Sequence, residues 1–314
     1  MNDWTLPGLL GKFRSEAACR AWFEAARWPD GVRCPRCSSE IVHRLSTRPS
    51  QFNCRDCRYR FSVTSGTPLH GTHLPLRIWL LAMYLMATST HGISARRLSL
   101  WLGIGYRSAW HLAHRIRALM AADPLLGKRL AGIVEADETY IGGKPRKRNG
   151  GPRPRRGRIS GRGNGKPCVL VAVERGGRVR MERVASHGAT ALGSRLTTWV
   201  DGSATLVTDE LPAYRRIGRS FGVHLAVRHS ADEFARTDPK TGLRVHNNTA
   251  ESVHAGLKTS IRSVFHHVSP KHLSRYLAEI AYRWNRRRVS AEERLLGLLA
   301  GMATGPLTFA ECVR

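Results

Sequence analysis

The chain has 314 residues, enough for two or three domains and a sizeable core. It carries 51 Lys and Arg against 23 Asp and Glu, a formal net charge of +28, which predicts a polyanionic partner, with nucleic acid the leading candidate and a membrane surface a weaker one. The N-terminus lacks the basic start and long apolar core of a secretory signal. The longest apolar run, residues 78–87, is too short to span a bilayer. We therefore expect a cytoplasmic, nucleoid-associated protein with no membrane partner.

The first predicted elements are an amphipathic helix near the N-terminus and a cysteine-rich segment. Cys34 and Cys37 form one C-x2-C pair, and Cys54 and Cys57 form a second pair after 16 intervening residues. In a reducing compartment this spacing predicts a structural zinc site, in which two tight turns complete a tetrahedron of thiolates. The intervening segment is too short to build a core, so metal binding would supply folding energy. Two redox pairs or disulfides are the alternative.

Helical periodicity follows the cysteine-rich segment. A connection rich in Gly, Pro and Thr leads to a buried helix, and residues 94–120 predict two helices about a short turn that contains Gly. This pairing is typical of a helix-turn-helix, whose second helix can enter the major groove of DNA. An ordinary αα-hairpin explains the same pattern. The side chains predicted to face DNA are Arg107, His111, His114 and Arg115.

From residue 130 the pattern changes to strands and helices. Three strands come first, and then strands alternate with helices, which is the order of an RNase H-like α/β domain. Between the first two strands, residues 144–166 contain ten cations, no acids and many Gly and Pro. We interpret this segment as a flexible arm that lies against a phosphate backbone; a solvated, disordered loop is the alternative. Its predicted DNA-binding residues are Lys144, Arg146, Lys147, Arg148, Arg155 and Arg156.

Three acids occupy positions that an RNase H-like sheet would bring together. Asp137 ends the first strand of this region, Asp209 ends the fourth, and Glu251 lies near the start of a helix. Because the first and fourth strands of such a sheet are neighbours, we expect the three carboxylates to hold two divalent ions that act on a phosphodiester. Hard oxygen ligands favour Mg²⁺ or Mn²⁺ over zinc.

Each of these acids has a simpler alternative role. Asp137 or Asp209 alone could cap the turn that follows its strand. Glu251 lies three residues after Asn248, and together they resemble a capping box at the start of a helix.

Neighbouring charges complete the predicted site. Glu135 and Glu138 are alternatives to Asp137 as the first metal ligand. Strand alternation places Glu135 on the same face of the strand as Asp137, and Glu138 on the other face. We expect substitution of Glu135 or Glu138 to reduce activity less than substitution of Asp137. Lys258 lies two helical turns after Glu251 on the same helix face, where it could hold a DNA phosphate. A solvated helix charge is the alternative for Lys258.

In this order of parts the chain resembles the ISXO-like DDE transposases of bacterial insertion sequences (insertion-sequence group 1595). The resemblance covers about residues 13–300 and rests on the motifs "VEADETYIGGK", "LVTDELPAY" and "HNNTAESVHAGLK". It implies a transposase that binds the ends of its element, cuts them and joins them to target DNA, and that acts as a homo-oligomer on DNA. A non-catalytic DNA-binding regulator derived from a transposase is the alternative, and an RNase H-like nuclease without strand transfer is a third possibility.

The resemblance also implies residue roles. It assigns the catalytic metal ligands to Asp137, Asp209 and Glu251, and it matches Lys258 to the basic residue that follows the third acid. Asn247 is noted because some relatives use Asn in the third role, and relatives carry bulkier aromatic residues than "AESVHAGLK" offers after its Glu.

The predicted fold is therefore a multidomain one, in which a zinc ribbon and a helix-turn-helix precede an RNase H-like α/β catalytic domain. The predicted bounds are 1–66 for the leading helix and zinc ribbon, 67–128 for the helix-turn-helix region, 129–290 for the catalytic domain and 291–314 for a C-terminal helix and tail.

Overall fold

The computed structural model describes residues 4–142 and 166–313, which divide into two compact units. One unit contains the residues up to Leu126 together with those from Ala278 onward, and the other spans Gly127–Leu277. Within the described ranges, no helix combines the length and the apolar character needed to cross a membrane. Lys144, Arg146, Lys147, Arg148, Arg155 and Arg156 of the predicted basic arm lie outside the described residues.

The helices and strands follow the chain in this order. The helices are α1 (Leu6–Lys12), α2 (Glu16–Arg27), α3 (Leu76–Thr88), α4 (Ala95–Leu102), α5 (Tyr106–Ala121), α6 (Pro124–Gly127), α7 (Ala189–Trp199), α8 (Pro212–Ile217), α9 (Asn248–Thr259), α10 (Leu273–Asn285), α11 (Ala291–Leu299) and α12 (Phe309–Val313). The strands are β1 (Val42–Arg44), β2 (Phe52–Cys54), β3 (Arg60–Phe61), β4 (Ile133–Tyr140), β5 (Cys168–Glu174), β6 (Val179–Val184), β7 (Thr205–Thr208), β8 (Val223–Ala226), β9 (Ala235–Thr237) and β10 (Arg244–His246).

The cysteine-rich segment forms a small antiparallel sheet in the order β1-β2-β3. Its strands are too short to supply a large core, and aromatic rings fill the space beside the cysteines. Phe52 and Phe61 stack with ring centroids 5.5 Å apart, and Trp28 packs edge-on against Phe52 at 5.7 Å. Arg44 lies over Phe52 and pairs with Glu24 of α2 at 2.6 Å, so one of the Arg residues of the ribbon is used for packing.

The helical part of the same unit is built around α3. This helix is apolar on most of its surface, and Trp79, Met83 and Met86 are fully buried in one core with residues of α2, α5 and α11. The predicted buried helix is therefore confirmed. Gly103 ends α4 in the left-handed region, at φ 64°, where a residue without a Cβ is favoured, and α5 begins three residues later.

Buried ion pairs attach the C-terminal residues to this unit. Glu279 accepts a 2.7 Å hydrogen bond from Arg117, and both side chains are almost completely buried. Arg286 donates two 2.8 Å bonds to the carboxylate of Asp123. Because a buried charge is costly without its partner, these pairs strongly favour the packing of residues 278–299 against α5.

The second unit contains a mixed sheet in the order β6-β5-β4-β7-β8. β4, β5 and β6 pair antiparallel, whereas β4, β7 and β8 pair parallel. The first and fourth strands of the region, β4 and β7, are neighbours as predicted. Residues with even numbers on β4, such as Val134 and Ala136, pack in a core with α7 and α8, whereas α9 contacts β4 and β5. The β9–β10 hairpin before α9 was not predicted.

Candidate active site

Asp137 and Asp209 lie at the same level of two adjacent parallel strands. Glu135 on β4 is in register with Val207 on β7, so Asp137 and Asp209 each follow that pair by two residues. Asp137 Oδ1 accepts the backbone N–H of Glu138 at 2.8 Å, and Asp209 Oδ1 accepts that of Leu211 at 3.0 Å. Asp209 thus uses one oxygen in the turn after its strand, as the simpler alternative predicted. The prediction that Asp137 ends its strand is corrected, because β4 continues to Tyr140 and Asp137 lies within it.

Glu251 lies in the first turn of α9 and is exposed. Asn247, not Asn248, is the N-cap, and its side chain makes no capping hydrogen bond. The capping box that the sequence offered as an alternative is therefore absent from these described residues.

The electrostatics of Asp137 show that the acids are close together. Burial is the largest cause raising the pKa of Asp137, which reaches about 8. The charges of Glu138, Asp209 and Glu251 act in the same direction, whereas the hydrogen bond from the Glu138 N–H opposes them. Burial and the neighbouring acids thus favour the neutral form of Asp137, whereas a bound cation would favour its ionised form.

The donor set fits a hard divalent cation because every ligand that Asp137, Asp209 and Glu251 offer is an oxygen. Their spacing is wider than that of a closed site for one ion. Within residues 4–142 and 166–313, only the four paired cysteines bring three or more ligand atoms within 4.8 Å of one another.

Glu135 occupies a position that its sequence context did not reveal. It is fully buried, and its Oε2 accepts the backbone N–H groups of Thr249 at 2.7 Å and Ala250 at 3.1 Å. Its Oε1 accepts the Thr249 hydroxyl at 2.9 Å. The first N–H groups of a helix have no partner within the helix, and here a carboxylate from β4 supplies one. Glu135 therefore caps α9, the helix that carries Glu251.

Arg175 completes this attachment. From the β5–β6 turn, it donates its Nε–H to Glu135 at 2.9 Å. Its other nitrogens donate to the backbone carbonyls of Arg244 at 2.7 Å and His246 at 3.2 Å, both on β10. Glu135 and Arg175 together fix β10 and the start of α9 against the sheet.

Glu138 faces the opposite side of β4, as strand alternation predicted. Tyr214 of α8 donates its hydroxyl to Glu138 at 2.9 Å. Burial, followed by the charge of Glu138, raises the pKa of Tyr214 well above its ordinary value. Glu138 is thus held on the side of α7 and α8, away from α9.

One further side chain of α9 faces the acids. His254 Nδ1 lies 3.5 Å from Asp137 Oδ2, and burial, with help from the charge of Lys258, lowers the pKa of His254 to about 4. Lys258 is half-buried. Asn247, the alternative third ligand, is buried, and neither polar atom of its side chain has a hydrogen-bond partner among the described residues.

The four paired cysteines converge as predicted. The Sγ atoms of Cys34 and Cys57 lie 3.6 Å apart, as do those of Cys37 and Cys54. Thiolates at 2.3 Å from a tetrahedral zinc ion would be about 3.8 Å apart, whereas a disulfide would hold them at about 2 Å. The cluster fits a structural zinc site and excludes the disulfide alternative.

The residues predicted to face DNA on α5 have different environments. Arg107 is exposed in the first turn and lies over Phe309. His111 is half-buried beside the carbonyl of Leu307. Arg115 is buried, and it donates to the backbone carbonyls of Pro68 and His70. The prediction for Arg115 is corrected, because its guanidinium satisfies carbonyls inside the unit.

His114 is also completely buried, with its ring 4.2 Å from that of Trp110. Only the first turn of α5 is therefore accessible along the predicted recognition face.

Comparisons with known proteins agree with this arrangement. The ISXO2-like transposase domain matches residues 129–285, and the transposase zinc-ribbon domain matches residues 14–60. A relative from Halobacterium salinarum (strain ATCC 700922 / JCM 11081 / NRC-1), described as an uncharacterized protein in transposable element ISH50, is 31% identical over 303 residues. The match covers 91% of this chain and 97% of the relative. No solved structure matches the chain.

Proposed function

The chain belongs to the ISXO2-like transposase family, and we propose that it binds the ends of an insertion sequence and catalyses metal-dependent strand cleavage and strand transfer into target DNA. The observation that carries this proposal is the level placement of Asp137 and Asp209 on adjacent parallel strands. The charge of Glu251 acts on Asp137 from α9, so three separate segments contribute one acid each.

The fold supports this function. Three antiparallel strands followed by two parallel ones, with helices between them, are consistent with an RNase H-like catalytic domain. The left-handed Gly103 between α4 and α5 is consistent with a helix-turn-helix, whose contact with DNA would be made by the first turn of α5. Arg107 is the candidate side chain there.

In this proposal Asp137, Asp209 and Glu251 hold the catalytic ions. Mg²⁺ or Mn²⁺ bound there would activate the attacking oxygen and stabilise the leaving oxygen on phosphorus. The chain's own residues position these ligands. Glu135 fixes the start of α9, and His254 lies against the outer oxygen of Asp137.

The cations of the unit bind and orient the DNA. Lys258 takes part in no ion pair with an acid in the described part of the chain, so its charge is available for a phosphate. It lies seven residues after Glu251, about 10 Å along the helix, which places it beside the DNA strand and away from the ligand set.

A strand-transfer assay with DNA that carries the ends of the element tests the proposal. We expect the wild-type protein to cut and join these ends only when Mg²⁺ or Mn²⁺ is added, with the zinc site loaded throughout. Binding of the ends without cutting under any of these conditions would instead identify a DNA-binding regulator.

A further inference from the structure

A cavity of about 470 Å³ lies within the Gly127–Leu277 unit, beyond the end of β4. Its wall is formed by the residues that follow Asp137 on this strand and by the C-terminal part of α9 with the turn after it. The volume is in the range of cavities that bind small ligands. The family-level function assigns no ligand to this space.

The lining of the cavity is basic. Lys258, Arg262 and Lys166 contribute to it together with His266 and His267. Neither lysine forms an ion pair within residues 4–142 and 166–313, and neither does Arg262. Cations that are gathered in a concavity and lack an acidic partner attract an anion.

Apolar side chains line the same cavity. Ile141, Ile261 and Val268 contribute to it, and the two isoleucines are largely buried. A phosphate alone would require only the cations. A lining that combines cations with apolar side chains fits a ligand with a flat, weakly polar ring and an anionic group.

The turn that presents the two histidines is strained. After α9, Ser260–Phe265 form a π-helical turn, and His266 has φ 59° and ψ −45°. The His267 N–H donates to the Phe265 carbonyl at 2.6 Å, which closes a γ-turn with a positive φ, a rare conformation for a residue with a side chain. Such backbone strain is concentrated at ligand clamps, and π-helical turns are frequent at functional sites.

We propose that this cavity takes one unpaired DNA nucleotide, with its phosphate against the cations of the lining and its base against the apolar side chains. The inference rests on the proposed function, because Lys258 joins the cavity to α9 about 10 Å from Glu251. That distance is about three base steps of B-DNA. The nucleotide is therefore one close to the strand end that is cut, and its base leaves the stack to enter the protein.

Photocrosslinking tests this site separately from catalysis. The full-length protein is mixed with a single-stranded oligothymidylate that contains one 4-thiothymidine, without added Mg²⁺ or Mn²⁺, and is irradiated and digested with trypsin. We expect the crosslink on the peptide of residues 263–271 or on Tyr140. Crosslinks confined to peptides outside the cavity would overturn the proposal.

Competition distinguishes a base from a phosphate. An unlabelled oligothymidylate should suppress the crosslink about tenfold better than an abasic oligomer with the same number of phosphates, which is the order expected for one base contact. Equal competition would mean that the cavity holds only phosphate, and the proposal would be wrong.

Substitutions test whether the crosslink forms inside the cavity. Val268→Trp fills the cavity without changing charge and should lower the crosslink yield about tenfold, whereas Val264→Trp, which does not line the cavity, should leave it unchanged. If Val268→Trp unfolds, the exposed Arg262→Gln serves in its place. If Val268→Trp, or Arg262→Gln in its place, stays folded and crosslinks like wild type, the proposal is contradicted. Because no DNA is cut here, a protein without strand-transfer activity can still give the expected result.

Discussion

Glu135 Oε2 accepts the backbone N–H of Ala250 at 3.1 Å, although 115 positions separate the two residues. This contact, with that to the neighbouring Thr249 N–H, makes a strand residue the cap of the helix that carries Glu251. A positioning role for Glu135 follows, in contrast to the minor role expected from the sequence.

Glu135→Gln should therefore reduce strand cleavage more than Glu138→Gln does. Gln offers one acceptor oxygen where Glu135 uses two, and the loss of a satisfied buried group costs about 1–3 kcal/mol. Cleavage rates and thermal unfolding of both variants provide the measurement. Both glutamates lie on β4, but Glu135 caps α9 whereas Glu138 accepts from Tyr214 of α8. Cleavage by Glu135→Gln at the rate of Glu138→Gln would therefore exclude the positioning role.

The zinc ribbon gives the next prediction. Cys34→Ser removes one of four thiolates and should abolish stoichiometric zinc, measured by elemental analysis of the purified protein, and it should unfold the ribbon because the metal supplies much of its folding energy. Cys19→Ala is the matched control, since Cys19 is buried in the helical core and lies outside the cluster. Unchanged zinc content in Cys34→Ser would show that the cluster does not bind it.

The basic arm should dominate the salt dependence of DNA binding. Each phosphate contact contributes about 0.9 to the slope of log affinity against log salt on duplex DNA, so deletion of residues 144–166 should weaken binding to many sequences alike and flatten that slope. Fluorescence anisotropy over a series of salt concentrations measures both effects. An altered sequence preference at constant slope would mean that the arm contacts bases.

The buried pair of Arg117 and Glu279 should matter more for stability than any surface pair. Glu279→Ala leaves a guanidinium buried without its partner and should lower the free energy of unfolding by about 3–5 kcal/mol. Glu40→Ala, which breaks an exposed pair with Arg33, should cost about 0–1 kcal/mol. Urea denaturation measures both, and equal effects would show that the pair is not structurally important.

The features predicted correctly from the sequence depend on local spacing and periodicity. The cysteine pairs and the separation of Glu135 from Glu138 by strand face follow from short-range patterns. The adjacency of β4 and β7 follows instead from the order of strands and helices along the chain. Charge alone did not distinguish Arg115, which satisfies carbonyls 45 and 47 positions away, from Arg107, which remains exposed.

The features that were missed depend on contacts between distant segments. The N-cap of α9, Asn247, makes no capping hydrogen bond with its side chain, and the partner of the helix N-terminus is a glutamate on β4. The β9–β10 hairpin contains short strands without an alternating pattern, and the strained turn at His266 has no glycine to mark it. The sequence held one signal for the role of Glu135, which is its position on a strand predicted to be buried. An acid occupies such a position only when its charge is paired.

The most direct test of the account compares Asp137→Asn and Glu251→Gln with wild type for both binding and joining of element ends. Each change keeps the shape of the side chain and removes one charge from the proposed metal ligands. We expect both variants to bind the ends as wild type does, because cations supply that affinity. We expect both to lose strand transfer by at least about 100-fold, because bound ions stabilise the charge of the transition state by several kcal/mol. Strand transfer by either variant at close to the wild-type rate would contradict its assignment as a ligand, and for Glu251 it would make Asn247 the next candidate.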